Sequence, residues 1–161
     1  MRITLTAMLF VMGLLPQSAY ALGLTCTVSA TGVAFGVYDP TNASPATSTS
    51  NIHTQCSVLL VSVGAQVKIS MNKGSSGSYA NRTMTNGLNT LSYNLYQDPA
   101  HSIVWGDGTG STTTITDSGL IAILGTSHNH TVYGQVPASQ YVPSGSYNDT
   151  IIVTIEYSET L

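Results

Sequence analysis

The residues from Gly145 to Leu161 read GSYNDTIIVTIEYSETL, and this segment decides the fold. Its side chains alternate, with a mainly apolar set at the odd positions and a mainly polar set at the even ones. The odd set is Tyr147, Asp149, Ile151, Val153, Ile155 and Tyr157. Successive side chains of a strand point to opposite faces, so the pattern predicts a strand with one apolar face. If the strand lies at a sheet edge, we expect no later segment to cover it, which leaves its backbone groups free to pair with another strand.

The first 21 residues have the pattern of a signal peptide. Arg2 is the only charged residue among the first 38, an apolar core runs from Ala7 to Leu15, and Pro16 ends that core. Small residues follow, and they predict cleavage after Ala21. The apolar run is too short to span a membrane. We therefore expect an exported protein with no membrane span and one mature domain, residues 22–161.

Composition narrows the class of the mature domain. Charged residues make up only 7% of the chain, against about 25% in an average soluble domain. Without Arg2, three basic residues face seven acidic ones, so the net charge changes from −3 to −4. This surface has no basic stripe for nucleic acid or anionic lipid. The abundance of Thr and Val favours strands.

The two cysteines, Cys26 and Cys56, are expected to form a disulfide. An exported protein with an even number of cysteines usually oxidises them to each other. A metal or redox pair is the alternative, but the sequence has no CxxC spacing and no third soft ligand nearby.

Alternating segments separated by turn residues recur along the mature chain, and no window keeps a helical period for three turns. Eight or more short strands of this kind predict an all-β sandwich. Asp39-Pro40 opens a loop that we expect to reach about Ser50, and Asn86-Gly87 is a tight-turn dipeptide. The expected strands include Val33 to Val37, with Val33, Phe35 and Val37 on one face, Arg82 to Met84, Leu91 to Gln97, Thr112 to Thr116 and Leu120 to Leu124.

Seven short motifs occur in an order and spacing that resemble the spore coat protein U domain family, which includes subunits of archaic chaperone–usher pili. They are Cys26 with Phe35-Gly36-Val37-Tyr38, Ile52 to Cys56, Arg82-Thr83-Met84, Leu91 to Asp98, Val104 to Gly108, Tyr133 to Pro137, and Gly145 to Ile155. The resemblance implies an immunoglobulin-like β-sandwich that lacks its last strand. A periplasmic chaperone would lend a strand to the folding subunit, and another subunit would later replace it. The partner strand would lie in a groove beside Ile151, Val153 and Ile155.

One feature departs from the pattern of polymerising subunits, which carry a donor extension of about a dozen residues before the first cysteine. Here only Leu22 to Thr25 would precede Cys26 after cleavage. Four residues at about 3.3 Å each cannot fill a groove as long as a five-to-seven-residue strand. We therefore expect a subunit that accepts a strand and does not donate one, a coat protein that does not polymerise this way, or a different cleavage site.

Other kinds of site have weaker support in the sequence. His128 and His130 could begin a zinc site, but zinc needs three or four ligands, and solvent-exposed loop histidines are the simpler interpretation. Asp107 to Gly110 lacks the further acidic ligands of a calcium loop. No nucleophile elbow or paired-carboxylate motif occurs, so we expect no enzymatic activity and no cofactor. Tyr38, Tyr79 and Tyr141 in predicted loops are candidates for sugar contact, while Trp105, Tyr93, Tyr96 and Tyr133 are expected to be structural.

Three functional hypotheses follow. The first is a structural subunit of a surface pilus, assembled by donor-strand complementation with a periplasmic chaperone, an outer-membrane usher and other subunits. It would pass through the periplasm to the cell surface and serve in adhesion or biofilm. The second is a secreted structural protein of a spore or cell coat. The third is a carbohydrate-binding adhesin module.

Overall fold

The structure is a computed structural model that describes residues 23–59 and 61–160. The predicted signal peptide, residues 1–21, lies outside the described residues. Eight strands occur, β1 to β8 in chain order. They are Thr25–Ala30, Ala46–Ser57, Val63–Met71, Arg82–Asn86, Asn89–Tyr96, Ile115–Ile121, Thr126–Val136 and Val153–Thr160. A 3₁₀ turn, Gly74–Ser76, follows β3.

The strands form two antiparallel sheets that enclose one core. The larger sheet has the order β1-β2-β7-β5-β4 and the smaller one has the order β6-β3-β8. Inward positions of β3 and β5 are apolar at every second residue, as a half-buried strand requires. Trp105, which follows β5, is fully buried, and its indole N–H donates to the carbonyl of Ile69 at 3.1 Å. The prediction of an all-β sandwich is confirmed.

The predicted strand from Val33 to Val37 is wrong. Residues 31–38 run as irregular backbone. Val33 and Phe35 do pack against the core, but Val37 is 97% exposed. Gly36, which lies between Phe35 and Val37, has a φ of 72°. A residue in the left-handed region breaks the period-two alternation, so Val37 no longer follows Phe35 inward.

The bounds of β2 and β6 also differ from the prediction. The loop after Asp39-Pro40 ends at Ala46, where β2 begins its pairing with β7. The two strands expected over residues 112–116 and 120–124 are a single strand, β6. It ends at Ile121 because Gly125, with a φ of 95°, and the Thr126 hydroxyl, which accepts from the amide of Ala122, form a turn.

The predicted tight turn is present between β4 and β5, which pair as a hairpin, but it lies one residue later than predicted. Asn86 pairs with Asn89, so the two turn residues are Gly87 and Leu88 instead of Asn86 and Gly87. Gly87 has a φ of 60°, the left-handed conformation that two-residue hairpin turns need.

The terminal segment keeps the predicted alternation but changes partner along its length. Asn148 exchanges backbone hydrogen bonds of 2.8 and 3.1 Å with Thr85 of β4 in the larger sheet. From Val153 onward the chain pairs with β3 in the smaller sheet. The odd positions from 147 to 155 are half-buried and the even ones are exposed. β8 is therefore an edge strand whose inward face the rest of the described chain covers only in part.

Candidate functional site

A cavity of about 390 Å³ lies between the irregular segment after β1 and the segment that leads into β8. Its floor is formed by buried apolar side chains of both sheets, namely Ile52, Met71, Met84, Leu95 and Val132. Val33 and Phe35 form one wall, and Tyr147, Ile151 and Val153 form the other. The wall residues are only half-buried. We call this cavity the groove.

The three residues predicted to line a partner-strand groove lie on the same face of the terminal segment. Ile151 and Val153 line the groove. Ile155, two residues after Val153, is half-buried against the core and lies outside the lining of the cavity. The structure therefore brings these side chains together along the inner face of the terminal segment.

The backbone of β8 has one unpaired edge. Just before β8, the amide of Asn72 donates to the carbonyl of Ile152 at 3.1 Å, and the amide of Ile152 donates to Asn72 Oδ1 at 3.0 Å. Alternate residues of an antiparallel strand direct both backbone groups to the same side. Thr154 and Glu156 therefore face β3, while Val153, Ile155 and Tyr157 direct their N–H and C=O groups away from it. In the part of the chain that the structure describes, no strand pairs with β8 on that side.

The wall of the groove opposite β8 is held by close packing on β7. A Cβ atom built on Gly134 would lie 2.7 Å from Val33 Cγ1 and 2.8 Å from Phe35 Cζ. Glycine thus lets the irregular segment lie directly on the sheet. The ring of Phe35 also meets that of Tyr93 edge-on, with centroids 6.0 Å apart. These contacts fix the position of Phe35 at the rim of the groove.

Ser50 on β2 has an unsatisfied polar atom in the groove. Its side chain lines the groove. Among the described residues, Ser50 Oγ is the one buried side-chain nitrogen or oxygen that has no hydrogen-bond partner. A buried hydroxyl without a partner costs about 1–3 kcal/mol. The atom marks a point where an occupant of the groove could donate or accept a hydrogen bond.

Asp149 anchors the segment that precedes β8. One carboxylate oxygen accepts from the Tyr93 hydroxyl at 2.6 Å, and the other accepts from the backbone amides of Ser75 at 2.9 Å and Thr150 at 2.8 Å. Burial raises the pKa of Asp149, but the hydrogen bonds from Tyr93 and Ser75 outweigh it and hold the pKa below its ordinary value. Burial also raises the pKa of Tyr93, and the bond to Asp149 raises it further, so this hydroxyl stays a donor.

Arg82 is a structural centre that sequence reasoning missed. Its guanidinium is fully buried and donates to the carbonyls of Asn72 and Trp105 and to Asn94 Oδ1, at 2.7 to 3.2 Å. Burial lowers the pKa of Arg82, but a guanidinium remains charged in proteins. The sequence contains one indication of this role. Arg82 lies two residues before Met84 in the same strand, so its side chain points to the same, inward face.

The predicted disulfide is present. Cys26 and Cys56 are direct partners in the β1–β2 ladder and are joined by an S–S bond of 2.04 Å. The bond fastens the edge strand β1 to β2 near the start of β1.

The histidines lie on strands, which corrects the prediction that His128 and His130 are loop residues. Both belong to β7, where His130 Nε2 lies 2.9 Å from Asp117 Oδ2 and the two imidazole rings stack. Over residues 23–59 and 61–160, no group of three or more His, Cys, Asp or Glu side chains could hold a metal ion.

Two of the three candidate sugar-contact tyrosines serve internal roles. Tyr79 is buried and donates to the carbonyl of Met71 at 3.0 Å. The Tyr38 hydroxyl donates to the carbonyl of Pro137 and accepts from the amide of Gln140. Tyr141 alone of the three remains largely exposed.

No helix among the described residues is long and apolar enough to cross a membrane.

Comparison with known proteins gave a family and a fold. The sequence profile of the Spore Coat Protein U domain matches residues 15–154. Protein U of Myxococcus xanthus is 35% identical over 136 residues, which cover 76% of this chain and 70% of that protein.

A solved structure has a similar fold. It is the pre-assembly complex between the chaperone CsuC and the tip adhesion subunit CsuE of archaic chaperone–usher Csu pili from Acinetobacter baumannii. The TM-score is 0.53 at 23% identity, and the match covers 83% of this chain but 39% of the solved chain. This likeness confirms the immunoglobulin-like β-sandwich.

Proposed function

The chain belongs to the spore coat protein U domain family, and from this premise we propose that it is an exported structural subunit of a chaperone–usher surface pilus. A strand supplied by another protein would occupy the groove and pair with the free edge of β8. The observation that carries the proposal is the coincidence of two features. The residues Val153 and Ile155 turn their side chains toward the core and their unpaired backbone groups toward the open side of the sheet.

An extended peptide fits both features at once. Its backbone would complete the hydrogen bonds of Val153, Ile155 and Tyr157, and its alternate side chains would enter the groove over Met71 and Leu95. Each large apolar side chain buried there would contribute about 1.5–3 kcal/mol. The partners would be a periplasmic chaperone during export and another subunit in the fibre. Signal-peptide cleavage after Ala21, passage through the periplasm and location at the cell surface are parts of the same proposal.

A structural role for this chain, rather than a catalytic one, is consistent with the family and the fold. A coat protein that assembles without a chaperone is the second candidate, and the identity to Protein U favours it. The two candidates share the sandwich and differ in whether β8 receives a strand from a chaperone.

Hydrogen exchange with single-residue resolution tests the proposal. Residues 22–161 are produced in an oxidising compartment, alone and with a periplasmic chaperone of the archaic chaperone–usher class. The amides of Thr154 and Glu156, which face β3, should be protected in both preparations. The amides of Val153, Ile155 and Tyr157 should become protected only in the complex. Equal protection of all five amides in the chain alone would refute strand acceptance.

A pair of neighbouring substitutions gives an independent test. Val153→Asp places a carboxylate in the desolvated groove, and capture by the chaperone should fall at least tenfold. Thr154→Asp adds the same charge one residue later on the exposed face, and capture should stay within twofold of the parent chain. Unfolding curves of both variants establish that each is folded. Unchanged capture of a folded Val153→Asp chain would contradict the proposed groove.

A further inference from the structure

Five large apolar side chains lie exposed at one end of the sandwich, on the β2–β3 loop, at the end of β6 and on the loop that follows β6. We call this surface the terminal patch, and its members are Leu59, Val61, Leu120, Ile123 and Leu124. Leu59 is 76% exposed, Leu120 is 72% exposed and Leu124 is 98% exposed. A clustered apolar surface of this kind is typical of an interaction site, whereas single exposed apolar residues are normal.

The register of the sheets brings the two loops together. Val63 at the start of β3 pairs with Ile121 at the end of β6, so the residues just before and just after this pair are neighbours. A Cβ atom built on Gly23, which precedes β1, would lie 2.7 Å from Leu59 Cδ1. The patch therefore lies where β1 begins, at the opposite end of β2 from the Ala46 pairing.

The terminal patch has no charged residue in its own sequence. Residues 57–67 and 118–126 contain no Lys, Arg, Asp or Glu. These segments therefore cannot form ion pairs with a partner. A partner would bind them through the burial of apolar surface. The partner that fits such a surface is a globular protein with an uncharged, apolar face.

The terminal patch adjoins the end of the free edge of β8. Gly64 of β3 pairs with Leu120 on one side and with Thr160 on the other. Neighbouring strands lie about 4.8 Å apart, so Leu120 and Thr160 are separated by only about 10 Å. A strand added along β8 would run from the groove at Val153 to this end of the sandwich. The body of the protein that supplies the strand would then lie against the patch.

We infer that the terminal patch is the docking face for the globular body of the protein whose strand pairs with β8. The inference rests on the proposed function and adds a second contact to it. Strand pairing would supply one part of the affinity, and apolar burial of Leu59, Leu120 and Leu124 would supply another. The exposed leucines of the patch would then be covered in each complex.

The test compares a double substitution at the patch with a matched control at a distant site. Leu59→Ser/Leu124→Ser removes the two most exposed members of the patch. Leu88→Ser, in the turn of the β4–β5 hairpin, removes a leucine that is fully exposed. The parent chain and both variants are co-produced with a periplasmic chaperone of the archaic chaperone–usher class, and the affinity of each purified complex is measured. In parallel, each chain is titrated with a synthetic peptide that corresponds to the subunit-binding strand of that chaperone.

We expect the double substitution to weaken chaperone binding at least tenfold, while its peptide binding stays within twofold of that of the parent chain. Leu88→Ser should change neither value by more than twofold. Unchanged chaperone binding by the double variant would overturn the inference and leave the proposed function standing, because the peptide would still bind. A loss of self-association with unchanged chaperone binding would also overturn it, since the patch would then be a contact between copies. Failure of the parent chain to bind either probe would overturn the proposed function as well.

Discussion

The Tyr93 hydroxyl donates a 2.6 Å hydrogen bond to Asp149 Oδ2, and this bond ties the segment before β8 to the opposite sheet. Tyr93 belongs to β5 of the larger sheet, whereas Asp149 lies four residues before β8 of the smaller one. Both line the groove. The bond therefore helps to hold the segment that crosses from its pairing with β4 into β8, at the rim where the proposed partner strand would enter.

Tyr93→Phe should lower the free energy of unfolding by about 1 kcal/mol. A hydrogen bond to a charged group contributes about 1.5–3 kcal/mol, and partial solvent access to Asp149 reduces that figure. Urea unfolding measures the change. Tyr147→Phe is the control, because its hydroxyl donates only to the nearby carbonyl of Pro143. An equal loss in both variants would show that the bond from Tyr93 to Asp149 stabilises the fold no more than the local bond from Tyr147 to Pro143.

The same link predicts a dependence on pH. The pKa of Asp149 is lower in the folded chain than its ordinary value, so the contribution to stability is complete above the unfolded pKa, about 3.9. It is lost as the pH falls through the folded pKa. The stability difference between the parent chain and Asp149→Asn should therefore be constant from pH 7 to pH 5 and shrink at lower pH. A difference that stays constant down to pH 2 would contradict this assignment.

Arg82→Lys should destabilise the chain by about 3 kcal/mol although it keeps the positive charge. The guanidinium donates in three directions at once, and an ammonium group cannot reach Asn72, Asn94 and Trp105 together. Buried carbonyl groups would lose their donors, and each unsatisfied group costs about 1–3 kcal/mol. Lys68→Arg, at the exposed ion pair with Glu156, is the control and should change stability by less than about 0.5 kcal/mol. A small effect at Arg82, measured by chemical denaturation, would mean that water replaces the lost donors.

Ser50→Ala should leave the free chain equally stable or make it about 1 kcal/mol more stable. The hydroxyl is buried without a partner, so its removal eliminates a desolvation cost and breaks no bond. Ser48→Ala changes the next inward position of β2 and is the control. If an occupant of the groove bonds to Ser50 Oγ, the same variant should bind the chaperone more weakly. A clear loss of stability in the free chain would show that Ser50 already has a partner.

Local periodicity predicted the parts of this fold that depend on neighbouring residues. The alternation from Tyr147 to Ile155 placed Ile151 and Val153 on the inner face, because the direction of a side chain in a strand depends only on its parity. It did not predict where the ladder with β3 starts. Asn148 pairs first with Thr85, and that partner is 63 residues away.

Two failures have the same physical origin. Arg82 has the parity of an inward residue, but its acceptors are carbonyls on distant segments, and no short window of sequence contains them. Val37 was assigned to a strand because the alternation continues through Gly36 in the sequence. In the structure Gly36 has a left-handed φ, and Val33 and Phe35 pack against Gly134, about 100 positions along the chain.

Gly134→Ala should displace one wall of the groove. An added Cβ would lie within 3 Å of both Val33 and Phe35, closer than packed side chains approach. Because Gly134 lies in the central strand β7, the backbone cannot yield, and the irregular segment must move outward instead. We expect a loss of about 1–3 kcal/mol from overpacking and weaker chaperone binding, since Phe35 would no longer define the rim.

The control for this variant lies in the same wall. Gly32→Ala adds the same methyl group where no atom lies within 4 Å, so it should be neutral or stabilise the chain by about 0.4–1 kcal/mol. Unfolding curves and chaperone affinity are measured for both variants. If Gly134→Ala destabilises the chain and leaves chaperone binding intact, the segment from Val33 to Phe35 supports the fold without shaping the groove. If both values fall together, the close packing of Phe35 on β7 is a condition for strand acceptance, since Gly32→Ala alters the same segment without crowding it.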